Sequence, residues 1–161
     1  MGKGKSSQKD NKPGHKLIAR NKQAFRNYFI TDRHEAGISL KGSEVKSLRE
    51  GRVSLGDSYA EVRNGEIFLA KCHIALYPQA SYNNHEPMRE RKLLMHKREI
   101  LRLGIKLNER GFTLVPLSLY FKDGRVKVEL GLGKGKQLHD KRHTVRDRDV
   151  KRDMEREMGK R

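Results

Sequence analysis

The chain has 161 residues, enough for one domain with appended segments, and charged residues (35%) are as frequent as hydrophobic ones (34%). Lys and Arg outnumber Asp and Glu by 37 to 20, and the net charge of +17 favours a polyanionic partner, with a merely solubilising surface as the alternative. The single cysteine, Cys72, excludes an internal disulfide framework and a cysteine-based zinc site. No apolar run reaches the roughly 20 residues of a membrane span. A cytoplasmic protein is therefore expected.

The first 16 residues are predicted to be a disordered basic arm. They carry five lysines against one aspartate, and no apolar segment follows that would make them a secretory signal. A folded domain is expected over residues 17–133. Its beginning, within residues 16–40, predicts either two strands or a short helical turn followed by a strand.

A helix and a hairpin follow in the sequence. Residues 41–51 predict a helix, with Ser43 placed to accept from an early backbone N–H group and Gly51 at a left-handed C-terminal cap. Residues 57–74 predict a β-hairpin, because their central Asn-Gly pair readily adopts the positive φ angles of a two-residue turn.

The middle of the chain is strongly basic. A long polar loop over residues 78–88 is predicted to be either mobile or functional. Residues 89–104 then predict the longest helix, with leucine and isoleucine on one side and Lys and Arg elsewhere. Leu93 and Leu94 cannot both face the core alongside the later apolar residues. Either this is an ordinary amphipathic helix, or one leucine packs against a nucleotide while the cations bind phosphates.

A second hairpin is predicted over residues 112–133, turning at an Asp-Gly pair. Pro116 predicts an edge strand or a bulge, and Leu117 and Leu119 are predicted to share one face. The alternating glycines of segment 131–135 predict a flexible exit from the domain.

Together these elements predict a mainly β fold. About six short strands joined by tight turns favour a small antiparallel, oligonucleotide-binding-like barrel with two or three peripheral helices and a polar C-terminal tail. This step is an analogy at the level of the fold, and it does not establish function by itself.

The tail, residues 134–161, carries 11 Lys and Arg against six Asp and Glu. On a helix, Val150, Met154 and Met158 would form a thin apolar line between lines of arginine and acid. A helix this polar is marginal in water. The tail is therefore either a disordered solubilising segment or one that becomes helical inside an RNA-lined channel.

The sequence contains no convincing catalytic or metal site. It has neither a phosphate-binding P-loop nor a dinucleotide-binding glycine motif. His139 and His143 lie four residues apart but beside cations, and a strand would place His34 and Glu35 on opposite faces. No catalytic residue and no cofactor are therefore expected. Two alternatives stay open: a ribosomal or assembly protein, and a small metal-dependent nuclease.

Several segments combine into a recognisable order. They are IARNKQAFRNYFI (18–30), HEAGISLKGSEVKSLREG (34–51), DSYAEVRNGEIFL (57–69), HEPMRERKLLMHKREI (85–100), LVPLSLYF (114–121) and GKGKQLHDKR (133–142). On these segments the chain closely resembles the SmpB family, the small protein partners of transfer-messenger RNA in bacterial ribosome rescue. The resemblance covers most of residues 17–142, whereas the arm and the last fifteen or so residues match only in character.

The resemblance implies an RNA-binding barrel without catalysis. It implies binding to the tRNA-like part of transfer-messenger RNA and delivery of that RNA by elongation factor Tu to a stalled ribosome. It also implies that the tail enters the decoding region of the small subunit and its empty mRNA channel, so that translation resumes on the tag-coding frame.

The resemblance also implies site residues. For binding transfer-messenger RNA these are Asn21, Glu35 and Leu94, to which Lys22 and the cations Arg91, Lys92 and Lys97 of the basic segment are added as predicted RNA contacts. For the ribosome and the tail these are Lys134, Lys136, His139, Asp140, Lys141 and Arg142. Among them, Asn21 is expected to hydrogen-bond a base or sugar, Leu94 to supply an apolar contact, and His139 to stack on a base.

Overall fold

A computed structural model describes residues 14–136 and 138–159 of the chain, without the side chains at 81, 138–141, 143 and 144. Most of the predicted basic arm, residues 1–13, lies outside the described residues. The first strand begins at His15, two residues before the start expected for the folded domain.

The strands are β1 (His15–Arg20), β2 (Tyr28–Ile38), β3 (Val53–Ser54), β4 (Tyr59–Arg63), β5 (Glu66–Ala70), β6 (His73–Ile74), β7 (Arg91–Leu94), β8 (Phe112–Lys122) and β9 (Arg125–Gly135). The helices are α1 (Lys22–Asn27), α2 (Gly42–Arg49), α3 (Lys97–Leu107) and α4 (Leu138–Met158), with a 3₁₀ helix at Pro78–Asn83. The predicted mainly β fold with peripheral helices is confirmed.

Six of the strands form a closed circuit. The order β8-β4-β5-β7-β2-β9 returns to β8 through the β8–β9 pairing, and β1 is added to the outside of β8. Each of these pairings is antiparallel. A circuit of this kind leaves few unpaired strand edges, which is how small barrels protect themselves from aggregation.

The core fills the inside of this circuit. Inward-facing residues of β5, β8 and β9 are almost fully buried, as the alternation of strand side chains requires. The helices also contribute to this core, through Ile100 and Leu103 of α3 and Leu48 of α2. Cys72 also lies in this core, as predicted, and burial raises the pKa of its thiol to about 11.

The two predicted hairpins are confirmed at their turns, although the second strand of the first hairpin ends at Ala70 and residues 73–74 form β6, which pairs with β3. β4 and β5 turn at Asn64-Gly65, with φ angles of 50° and 74°, and β8 and β9 turn at Asp123-Gly124. The helix predicted over residues 41–51 is present as α2, and Gly51 has the positive φ of 71° expected of its cap. Ser43, however, does not cap α2: its hydroxyl hydrogen-bonds the ring of His85 instead.

The helix predicted over residues 89–104 is wrong. The structure divides this stretch into β7 and α3, joined at Met95 and His96. Arg91 and Leu93 point inward while Lys92 and Leu94 point outward, which is the period of a strand. Pairing of β7 with both β5 and β2 overrides the local helix propensity, a tertiary effect that short apolar runs do not reveal.

A bulge in β8 explains a second difference. The register with β9 shifts between Pro116 and Ser118, so the predicted bulge at Pro116 is confirmed. Because of this shift Leu117 and Leu119 do not share a face: Leu119 enters the main core, whereas Leu117 joins a small second cluster with Ala24 of α1.

The glycines predicted to form a flexible exit lie in strand β9 instead. A Cβ atom on Gly131 would stand 2.9 Å from the side chain of Leu117, and one on Gly133 would stand 2.9 Å from Cβ of Tyr28. The glycines therefore let Leu117 of β8 and Tyr28 of β2 pack closely on β9, and the strand continues as ordered structure to Gly135.

The tail is a helix of 21 residues, α4, whose described side chains are exposed. Val150, Met154 and Met158 are exposed by 52%, 60% and 76%, so its predicted apolar line faces solvent. None of the helices within the described part of the chain is long and apolar enough to cross a membrane.

Candidate nucleic-acid interface

Glu35 lies on β2 at the centre of a polar network on the outside of the barrel. Its carboxylate accepts hydrogen bonds from the hydroxyl of Tyr120 and, at 3.2 Å, from Nζ of Lys122. The bond from Tyr120 lowers the pKa of Glu35 most, burial raises it, and Lys122 and Lys127 lower it further, so the group is held ionised. His15 of β1 stacks on Tyr120 with ring centroids 4.2 Å apart.

Tyr120 holds the carboxylate of Glu35 in place through its hydrogen bond. It is only 5% exposed, and burial, followed by the hydrogen bond to Glu35, raises the pKa of its hydroxyl, so the group stays a donor. Glu35 itself is 40% exposed at its side chain. The network thus presents an oriented carboxylate to solvent, suited to accept from a base amino group or a 2′-hydroxyl.

Leu94 and Lys92 project outward from β7, next to this network. Leu94 is 54% exposed and pairs across the strands with Gly37. Because Gly37 has no side chain, nothing at that position shields Leu94, and a Cβ there would come within 3.2 Å of Cβ of Leu94. Lys92 forms an exposed salt bridge of 3.0 Å with Glu66. The two side chains form an apolar and cationic surface that faces solvent.

Arg91 has a different position from the one predicted. It is fully buried, and its guanidinium donates to Oε1 of Glu44 at 3.0 Å, to the carbonyl of Cys72 at 2.7 Å and to the carbonyl of Pro87 at 3.2 Å. Because no part of the group reaches solvent, we reassign Arg91 from an RNA contact to a structural residue.

Glu44 completes this buried cluster. Burial raises the pKa of its carboxyl, but hydrogen bonds from Arg89 and the Lys41 backbone, together with the Arg91 and Arg89 charges, outweigh burial and lower it. The cluster ties α2 to β7 and to the segment before it. This fixes the strand that displays Lys92 and Leu94.

Asn21 and Lys22 stand at the start of α1. Asn21 is only 4% exposed: its Oδ1 accepts from the Ala24 N–H, and its Nδ2 donates to the carbonyls of Leu55 and Pro116. This favours a role in positioning α1 over direct contact with a base or sugar. Lys22 is exposed beside it.

Lys97 is exposed at the first residue of α3. Further along this helix Arg98, Arg102 and Lys106 follow one another on an exposed face. Within the described residues no salt bridge occupies any of these four cations, so they are available to phosphates.

A second cationic region surrounds the end of β9, from which the tail leaves. Lys134 is exposed and lies over Gly111, next to Arg110. Nζ of Lys136 donates to the carbonyl of Phe25 at 3.2 Å and lies 4.8 Å from the ring centre of Phe29. Here Phe29 is 49% exposed, which leaves an aromatic surface beside cations.

The remaining predicted tail residues lie at the start of α4. Arg142 is exposed. His139, Asp140 and Lys141 belong to the helix, but their side chains lie outside the described part. Their expected contacts with the ribosome stay predictions.

The two candidate surfaces are far apart along β2. Phe29 near its start belongs to the tail end, and Glu35 belongs to the other surface, six residues later, which is about 20 Å along an extended strand. The barrel therefore carries two separate candidate surfaces.

Several of these residues carry no signal in the sequence. Tyr120, Lys122 and Glu44 act through partners that are distant in the chain, which a single sequence does not disclose. Among the described residues no group of His, Cys, Asp and Glu is arranged to hold a metal ion.

Comparison with known proteins agrees with this arrangement. The family described as SmpB protein matches residues 18–160. This chain belongs to the SmpB family. An SsrA-binding protein of Acidothermus cellulolyticus is 55% identical over 92% of this chain and 93% of its own length. An SsrA-binding protein of Geobacter sulfurreducens is 56% identical over 88% of this chain and 92% of its own length.

A solved structure of the family is also similar. It is described as "tmRNA-SmpB: a journey to the center of the bacterial ribosome", and its chain superposes with a TM-score of 0.65. The two are 46% identical, and the match covers 80% of this chain and 94% of that one. The family resemblance predicted from the sequence motifs is thereby confirmed.

Proposed function

We propose that this chain binds the tRNA-like part of transfer-messenger RNA and, with its tail in the mRNA channel, rescues stalled ribosomes by trans-translation. The observation that carries the proposal is near full-length identity of 55–56% to proteins named for binding SsrA RNA. Related chains of this similarity share their fold and their main surfaces. Delivery with elongation factor Tu and a cytoplasmic location belong to the same proposal.

The surface around Glu35 and Leu94 is suited to the structured RNA. It combines an oriented carboxylate, an exposed leucine and Lys92, and β7 and β2 hold all three on paired strands rather than on loops. Rigid placement lowers the entropy cost of binding. Hydrogen bonds and apolar contact then read the shape of the RNA, and nearby cations supply affinity.

The tail end of the barrel is suited to the ribosome. Lys134, Lys136 and the exposed Phe29 lie near the end of β9, just before α4 begins. The tail therefore leaves the barrel from a surface whose cations and aromatic ring suit RNA. The tail itself is too polar to bury a core of its own. We propose that the tail is disordered when free and helical once RNA surrounds it, so that the helix α4 of the structure corresponds to its RNA-bound form.

We further propose that the chain acts without a catalytic centre of its own. The thiol of Cys72 is buried with a raised pKa, which removes it as a nucleophile. Glu35 is held ionised by Tyr120 and Lys122, which disfavours a role as a general acid. On this view Glu35 is a recognition residue, and the nuclease alternative loses its best candidate acid.

A filter-binding titration with SsrA RNA tests the proposal. We expect tight binding by the wild type, with excess bulk tRNA competing poorly. Leu94→Ala should weaken binding about fivefold, because roughly half of a leucine side chain loses its apolar partner. Leu101→Ala is the matched control, since Leu101 is 64% exposed on α3 and outside this surface. Wild-type protein that binds SsrA RNA no better than bulk tRNA would contradict the proposal.

A further inference from the structure

A polar cavity of about 260 Å³ lies between α1, the loop before β4 and the first residues of β8. It is somewhat smaller than the roughly 300–1,000 Å³ of pockets for drug-sized ligands, so a single ring system suits it. Gln23 and Asn27 of α1 and Asp57 of the loop line it with polar groups. Tyr28 and Tyr59 supply aromatic walls.

The polar lining of this cavity is unused by the protein. Within residues 14–136 and 138–159, no group hydrogen-bonds the side chains of Gln23, Asn27 or Asp57. Asn21, which also borders the cavity, has both its amide groups engaged. Gln23 and Asp57 are exposed and Asn27 is half-buried, so water satisfies them in the free protein and a polar ligand in the cavity can replace that water.

Cations flank the cavity. Gln23 and Asn27 lie four residues apart and therefore on one line of α1, and Lys22 and Arg26 form the neighbouring line. Both cations are exposed, and neither has a salt bridge within the described ranges. Lys22 and Arg26 do not line the cavity, but they stand on the line of α1 next to Gln23 and Asn27, so a ligand in the cavity has positive charge nearby, which suits a nucleotide.

We propose that this cavity binds one unpaired base of an RNA. The edge of the base bonds to Gln23, Asn27 and Asp57, its ring packs against a tyrosine wall, and the two cations of α1 hold the adjoining phosphates. The proposal rests on the function proposed above, since it adds a base-reading subsite to an RNA-binding protein.

The lining selects among bases. An ionised aspartate only accepts hydrogen bonds, so Asp57 favours a base with an exocyclic amino group. Adenine, cytosine and guanine have one, whereas uracil presents two carbonyl acceptors beside a single N–H. The subsite therefore disfavours uracil, by about tenfold if one good pairing is at stake.

The direct test follows the side-chain amide resonances of Gln23 and Asn27 by NMR in the full-length protein. Single-stranded hexanucleotides of adenine, cytosine or uracil are titrated in turn. We expect adenine and cytosine oligomers to shift both resonances, with uracil binding about tenfold more weakly. Asp57→Asn should abolish this preference, because an amide also donates. Asp32→Asn removes the same charge from an exposed site on β2 and should leave the preference intact.

Two results would overturn the subsite. One is amide resonances that no oligomer shifts, and the other is equal binding of uracil to the wild type. If the same titration shifts residues around Leu94 but not the cavity, the subsite fails while the proposed function stands.

The source of the base is settled by binding assays with the two variants. Asp57→Asn that weakens binding to SsrA RNA places the base in that RNA. Weakened binding to ribosomal small subunits places it in ribosomal RNA. Either loss supports the subsite when Asp32→Asn shows none, and unchanged binding to both RNAs counts against it.

Discussion

The barrel surface around β2, β5, β7 and the end of β8 and the exposed sides of helices α1 and α3 are both rich in cations, but the cations differ in whether they have acidic partners. On the first surface the cations have acidic partners, as in Lys92–Glu66 and Lys122–Glu35. On the helices, Lys22, Arg26 and Arg98 have none within the described chain. Net charge alone does not locate a phosphate-binding surface, because a cation already paired has less to gain from a phosphate.

The largest effect on stability is expected from breaking the buried ion pair between Glu44 and Arg91. Glu44→Ala leaves Arg91 fully buried without its carboxylate, and we expect a loss of about 3–5 kcal/mol in the free energy of unfolding. Glu66→Ala breaks only the exposed pair with Lys92 and should cost at most about 1 kcal/mol. Urea unfolding of the two variants measures both. Similar losses would show that burial does not distinguish these pairs.

Acid should weaken the same cluster. The folded-state pKa of Glu44 lies below its unfolded value, so its stabilising contribution is complete above the unfolded value of about 4.3 and is lost as pH falls through the folded value. We expect the wild type to lose stability on acidification more steeply than Glu44→Gln, which does not titrate at this position. Parallel urea midpoints for the two proteins between pH 6 and 3, at matched ionic strength, would contradict this.

Unpaired and paired cations should differ in the salt dependence of RNA binding. Lys22→Ala/Arg26→Ala removes two unpaired charges, and we expect the slope of log affinity against log salt to fall by between one and two. Lys92→Ala/Lys122→Ala removes two paired charges and should change the slope by less. Affinities for SsrA RNA and for ribosomes at several salt concentrations give the slopes. Equal changes for both double variants would remove the distinction between the two surfaces.

Sequence patterns predicted the hairpins and α2 because each depends on local chemistry. The Asn64-Gly65 pair favours its turn through its own backbone preferences, and the glycine after α2 favours a helix end in the same way. The division of residues 89–104 into a strand and a helix was not predictable in this way. There β7 is decided by pairing with strands distant in sequence.

The candidate site shows the same limit. Motif resemblance selected Glu35 and Leu94, and the basic run of residues 89–104 selected Lys92; the structure displays all three on one exposed surface. The same basic run also selected Arg91, because a run of cations does not show which of them is buried. The burial of Arg91 and its contact with Glu44 become visible only in the fold.

The division of labour between barrel and tail is the central claim, and one experiment tests it most directly. A chain ending at Lys136 keeps all of β9 and removes α4. We predict that it binds SsrA RNA within about twofold of the full chain and fails to support peptide tagging on stalled ribosomes in a purified system. Tagging by the truncated chain at the full-length rate, or loss of its RNA binding, would contradict the account.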